Sequence, residues 1–211
     1  MKISSIKNIK TKLIGKKIYL YREISSTNDE AKRLLKLGVG EGAVVIAEGQ
    51  SKGRGKPGRS WISPCGKGVY LTIIIQPFRT QGMTMPLTLL GTLAGARAVK
   101  GLRGLDVMLK WPNDMMVYGR KLGGVLTEMR SKSVLVGIGI NVNSRSEELP
   151  ENSTSIYEEL GKKTGRTVLI KRLLEEFEKL YFLLLAGKNE LIINEWKTLS
   201  DCDRIIEFKG R

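Results

Sequence analysis

A chain of 211 residues with 41% apolar and 27% charged side chains has the material for one full domain with a large core, which excludes a disordered segment. It contains no histidine and only two cysteines, Cys65 and Cys202, so a zinc site or a Ser/His/Asp triad lacks its ligands or its base. The net charge of +15 favours an anionic partner (a nucleotide, a nucleic acid or an acidic protein surface), while lysines dispersed over solvated helix faces account for much of it equally well.

The longest apolar runs, Val69 to Ile75 and Tyr181 to Ala186, are far too short to span a bilayer. The opening MKISSIKNIKTK carries basic residues but no apolar stretch of the kind an export signal needs. The expectation is a cytoplasmic protein with no membrane partner, in which the two thiols stay unpaired.

Ile18 to Ile24 reads as a strand, and Ser25-Ser26-Thr27-Asn28-Asp29-Glu30 opens a helix that runs to about Leu37 and closes at Gly38. Thr27 and Glu30 have the spacing of a capping box, and the same helix start offers free N–H groups to a polar or anionic ligand. Gly42 to Glu48 and Val69 to Gln76 are strands flanking the segment Gln50 to Trp61, QSKGRGKPGRSW. There Lys52, Arg54, Lys56 and Arg59 surround Gly53, Gly55 and Gly58, a composition that lets backbone N–H groups and mobile cations close on an anion. These glycines also spell G-x-G-x-x-G, but Pro57, Gly58, Ser63, Pro64 and Gly66 exclude the helix that a dinucleotide site requires.

Met85 to Val99 has the small and apolar residues of a buried helix. Asp106 to Trp111, Met115 to Tyr118 and Lys121 to Met129 read as strands, the last two joined by a tight turn at Gly119. Ser133 to Asn141 is another strand, opening into GIGINVN at 137–143. Leu169, Ile170, Leu173, Leu174, Phe177, Leu180, Tyr181 and Leu184 share one helical face, and a further helix covers Glu190 to Leu199. This order predicts an α+β fold with helices packed on a largely antiparallel, mixed sheet.

A second dense segment is Lys110-Trp111-Pro112-Asn113-Asp114, followed after a hairpin by Arg120-Lys121-Leu122-Gly123-Gly124. It sets a lysine, an amide and a carboxylate at the end of one strand and a second lysine at the start of the next, more polar chemistry than a structural hairpin needs.

Taken together, SSTN at 25–28, Gln50 with GRGKPGRSW at 53–61, KWPND at 110–114, RKLGGVLTE at 120–128 and GIGINVN at 137–143 resemble the biotin protein ligases. The resemblance implies a catalytic domain over residues 1–200, of the kind shared with class II aminoacyl-tRNA synthetases, with 201–211 as the start of a C-terminal SH3-like barrel that stops short. It implies formation of biotinyl-AMP from biotin and MgATP, then transfer of biotin to a lysine of a biotin carboxyl carrier domain. By similarity Lys121, Arg54 and Asp114 are the catalytic residues. Lys121 would bridge the biotin carboxylate and α-phosphate, and Asp114 would receive the target lysine. The same similarity gives Ser26, Thr27, Asn28, Gln50, Gly53, Arg54, Gly55, Lys56, Trp61 and Lys121 to biotin, and Lys110, Asn113, Lys121 and Asn141 to ATP. Magnesium would come with ATP and not through protein side chains alone. A homodimer is compatible with the family, and DNA binding is not expected, because some 17 residues precede the first strand.

Two departures stand out. Lys56 occupies a position where the family usually has arginine, and a lysine lacks the planar fork that grips two oxygens, so the adenylate is expected to be held more loosely. The short C-terminus is expected to weaken transfer. The rival readings are a lipoate ligase of the same fold and a nucleic-acid-binding module; KWPND and the glycine-rich loop weigh against the first.

Overall fold

The computed structural model describes residues 6, 8–77, 82–102 and 105–200. Its frame is a seven-stranded sheet in the order β1-β2-β3-β7-β6-β5-β4. Strand β1 (Ile18–Ile24) pairs parallel with β2 (Val44–Gln50), and α1 (Thr27–Lys36) connects them. All other neighbours are antiparallel: β3 (Gly68–Ile75), β4 (Met108–Lys110), β5 (Asp114–Val117), β6 (Arg120–Arg130) and β7 (Ser133–Asn141). The sheet is the mixed, largely antiparallel one that the strand pattern implied.

Strand alternation assigns the two faces different work. Val69, Leu71, Ile73 and Ile75 of β3 and Val134, Val136, Ile138 and Ile140 of β7 enter a large core with α2 (Thr84–Lys100) and α4 (Arg166–Leu185). Alternate residues Val45, Ile74 and Leu135 join Ala31 and Leu34 of α1 in a smaller core on the opposite face. Helix α1 covers only part of that face, and the rest is open to a ligand. Helix α5 (Asn189–Thr198) closes the far side, where buried Trp196 donates from Nε1 to Thr92 Oγ1 at 3.0 Å.

Some local expectations are corrected. The capping box is absent: Ser26 is the N-cap of α1 with no side-chain cap bond, and Glu30 instead accepts from Tyr21 and Arg33. The β5–β6 turn places both Tyr118 and Gly119 at positive φ, 47° and 76°, as a two-residue hairpin with the twist of its strands requires. Strand β4 is only three residues long, and between β7 and α4 the chain forms a 3-10 turn at Ser146–Glu148 and a short helix α3 (Ile156–Leu160) that the sequence pattern did not announce. Cys65 is a free, exposed thiol. Cys202 and the expected barrel start at 201–211 lie outside the described residues.

Candidate active site

The uncovered part of the α1 face is a cleft of about 720 Å³, mouth included, between the start of α1, the loop after β2 and the ends of β5, β6 and β7. Its floor is bare because β7 carries glycine at the two positions that point into it. A Cβ on Gly137 would lie 2.3 Å from Asn28 Oδ1, and one on Gly139 would lie 2.6 Å from Trp61 Cε2. Asn28 and the Trp61 indole therefore rest directly on the strand, which no other residue at 137 or 139 would allow.

One wall is a chain of neutral polar groups. Gln50 Oε1 accepts from Thr27 N at 2.8 Å and from Thr27 Oγ1 at 3.1 Å, while Gln50 Nε2 donates to Ser63 Oγ at 2.8 Å. Ser63 in turn donates to the Trp61 carbonyl. The fully buried Thr72 hydroxyl lies 2.6 Å from Asn28 Oδ1 and 2.9 Å from Thr27 Oγ1, so its single proton serves one of them. Asn28 Nδ2 donates to Glu128 Oε2 at 2.8 Å. Each amide is thus held in one orientation before any ligand arrives, which lowers the ordering cost of binding.

The opposite wall is cationic. The glycine-rich segment folds as a small hairpin, with Trp61 N donating to the Gly53 carbonyl, Gly55 N to the Arg59 carbonyl and Arg59 N to the Lys56 carbonyl. Gly58 turns it at φ 78°. Lys56 and Arg59 stand exposed at the mouth and enter no ion pair among the described residues. Arg54, expected to close over the ligand, instead gives its guanidinium to Asp29 at 2.8 Å and to both oxygens of Glu128 at 3.1 and 3.0 Å. It anchors the hairpin, and the mobile charge of the cleft comes from Lys56, Arg59 and Lys121. Burial pushes the Asp29 and Glu128 carboxyls up. The donors outweigh it, Lys32 and Arg54 at Asp29 and Asn28, Lys32, Arg54 and Arg130 at Glu128, and both carboxyls stay below the ordinary range.

Lys121 reaches the cleft because β6 is irregular at that point. Met115 pairs with Gly123 but Met116 pairs with Lys121, leaving Leu122 as an unpaired bulge. The bulge resets the alternation, so that Leu122 enters the core while Lys121 joins Gly124 on the cleft side. Lys121 Nζ lies 2.7 Å from Asp114 Oδ1 and 5.6 Å from the Trp61 ring centre. Asp114 Oδ1 receives no aligned hydrogen bond, so this is a charge contact and not a directed one. Trp61 Nε1 is likewise buried without an acceptor among the described residues.

Of the residues singled out in the sequence, Ser26, Thr27, Asn28, Gln50, Arg54, Gly55, Lys56, Trp61, Asn113, Asp114 and Lys121 line this one cleft. Gly53 is buried behind it, against the Trp61 carbonyl and Ser63. Lys110 is exposed at the end of β4, and buried Asn141 donates to the Thr154 carbonyl, so neither lines the cleft. Thr72, Ser63, Asp29 and Glu128 escaped sequence reasoning. Thr72 left a signal as the polar residue inside an apolar strand, and Glu128 as the last residue of the RKLGGVLTE segment.

Residues 20–144 match the model of the biotin/lipoate A/B protein ligase family. The chain belongs to this family. Among biotin/lipoate ligase relatives, the bifunctional ligase/repressor BirA of Bacillus spizizenii is 36% identical over 182 residues, 82% of this chain and 56% of that protein. The biotin–(acetyl-CoA-carboxylase) ligase of Mycobacterium tuberculosis is 31% identical over 142 residues, 65% of this chain and 53% of that protein. The chain thus spans about half the length of the curated relatives it matches. Among solved structures, the biotin protein ligase from Aquifex aeolicus in complex with biotin and ATP superposes with a TM-score of 0.79 at 29% identity, covering 88% of this chain and 79% of that one. No described helix is long and apolar enough to cross a membrane.

Proposed function

We propose that this member of the family is an ATP-dependent biotin–protein ligase acting on a carrier domain of a carboxylase. The observation that carries the reading is the pairing, in one cleft, of a preset neutral wall with a cationic one. The neutral wall of Thr27, Asn28 and Gln50 suits a cyclic urea, which needs both donors and acceptors and no charge. The cationic wall suits a carboxylate meeting a triphosphate. A biotin-and-ATP complex of a similar structure supports the same substrates.

In the first step a biotin carboxylate oxygen attacks the α-phosphorus and the bond to pyrophosphate breaks. Two anions must approach, so the step depends on cations placed beforehand. Lys121 is suited to bridge them, leaving Asp114 as it does so, with Lys56 and Arg59 over the phosphates. The Trp61 N–H, without an acceptor among the described residues, is an additional donor on the same floor. In the second step a carrier lysine nitrogen attacks the acyl carbon and AMP leaves. Asp114, released from Lys121, would accept the ammonium proton. Magnesium would come bound to ATP, and among the described residues no three His, Cys, Asp or Glu side chains gather around one point. Magnesium so bound would offset phosphate charge. We read the protein as cytoplasmic, with a homodimer as its expected assembly.

The test is incubation with biotin, MgATP and a carrier domain, following pyrophosphate and carrier mass. Pyrophosphate with a biotin-sized gain on the carrier is expected. Pyrophosphate alone would confine the chain to adenylation, and turnover with lipoate but not biotin would overturn the substrate.

A further inference from the structure

Glu128, at the far end of β6 from Lys121, is 12% exposed and does not itself line the cleft, but its two oxygens serve residues of both walls at once. Oε2 accepts from Asn28 Nδ2 at 2.8 Å on the neutral wall and from Arg54 Nη1 at 3.1 Å on the hairpin. Oε1 accepts from Arg54 Nη2 at 3.0 Å and from Arg130 at 2.9 Å, with Lys32 Nζ at 3.4 Å. Asp29 is the other carboxylate on Arg54 and is 45% exposed, so the bidentate Glu128 contact is the stronger hold. The base of the hairpin is held elsewhere, by Lys52 N donating to the Ser25 carbonyl and by the Trp61 indole on β7, but its tip has no such support among the described residues. Its residues from Lys56 to Ser60 are exposed, and its own backbone bonds close it on itself.

We propose that Glu128 is a positioning residue of the ligase reaction: through Arg54 it pins the glycine-rich hairpin to the start of α1, and through Asn28 it orients the group that reads the substrate ring. This rests on the biotin-ligase reading given above. Glu128 touches no reacting atom. Its removal changes how well the cleft is held shut and not the chemical step. A glutamine in its place keeps the volume but turns one acceptor into a donor facing either Arg54 or Asn28, which are themselves donors.

The test compares Glu128→Gln, Arg54→Gln and the double variant with the unaltered chain. Without ligand, trypsin cleavage after Arg59 reads the hairpin directly. Glu128→Gln is expected to speed it at least about fivefold, with a melting temperature within a few degrees. In pyrophosphate release, KM for biotin is expected to rise about tenfold, about 1.4 kcal/mol, while kcat at saturating biotin changes less than about twofold. The double variant should lose clearly less than the product of the two single losses, because both changes break the Arg54–Glu128 contact, although Arg54→Gln also frees Asp29.

Cleavage at the unaltered rate, a fall in kcat at constant KM, or losses that multiply in the double variant would each overturn the proposal. An unaltered chain that releases no pyrophosphate with biotin would sink the ligase reading and this role with it. An active chain indifferent to Glu128→Gln would sink this role alone.

Discussion

Gly137→Ala tests whether the bare floor is what seats Asn28. The added Cβ would stand 2.3 Å from Asn28 Oδ1 and 3.1 Å from its Cγ. Carbon and oxygen need about 3.3 Å, so the amide must retreat by about 1 Å. Asn28 is 3% exposed and has nowhere cheap to go. The retreat stretches the 2.6 Å contact with Thr72 and the 2.8 Å bond to Glu128, one neutral and one charge-assisted. Losing both costs about 2–4 kcal/mol, of which the better strand propensity of alanine returns about 0.5–1. The net is about 1–3.5 kcal/mol, or a melting temperature lower by about 2–14 °C for a domain of this size. KM for biotin in pyrophosphate release should rise about tenfold or more. In the Gly137→Ala background, Asn28→Ala should cost little further, since its bonds are already gone. A Gly137→Ala protein that melts within a degree of the unaltered chain with the same KM would refute the account.

Lys121→Met should lower pyrophosphate release by about 10²-fold or more while calorimetric biotin affinity stays within a few-fold, because Lys121 contacts no member of the neutral wall; a loss under tenfold would remove it from the chemistry. Lys56→Arg should slow escape of biotinyl-AMP from the protein, read by trapping the free adenylate, and equal escape rates would discard the looser-grip expectation. Stability should also depend on acid titration of the hairpin anchor. Glu128 faces Arg54, Lys32 and Arg130, and Asp29 faces Lys32 and Arg54. Both carboxyls are lowered in the folded chain, so their contribution is whole above the ordinary carboxylate range, near pH 4, and is lost as pH falls through the lowered values. Between about pH 5 and pH 3 the unaltered chain should lose more melting temperature than Asp29→Asn/Glu128→Gln; parallel curves would contradict this.

The frame was legible because its strands are long alternating or apolar runs: β7 occupies Ser133–Asn141 as the pattern indicated, and the loop after β2 forms no helix because Pro57 and its glycines forbid one. The cleft was legible where residue type and local spacing suffice, as in Ser26–Asn28 and Gln50. What could not be read depends on partners remote in the chain. Glu128 meets Asn28 across 100 residues and Arg54 across 74, and nothing in a single sequence ties them. The side on which Lys121 lies depends on the bulge at Leu122, which no periodicity reveals. The capping box failed for a related reason: Gln50, not Glu30, accepts from the Thr27 amide, and the Glu30 amide donates to the Ser26 carbonyl.

Because one set of strand positions makes most of the core and the intervening set faces the cleft, durability and selectivity are largely separable along the same strands, the two floor glycines apart. Changes at Ser26, Gln50 or Leu126 would alter what the protein accepts while Ile73, Val134, Val136 and Ile140 keep the aliphatic layer behind them intact, whereas Gly137 and Gly139 must stay bare. A family built this way has room to diverge in substrate without refolding, and a library confined to the cleft-side positions would sample new acids on an unchanged scaffold.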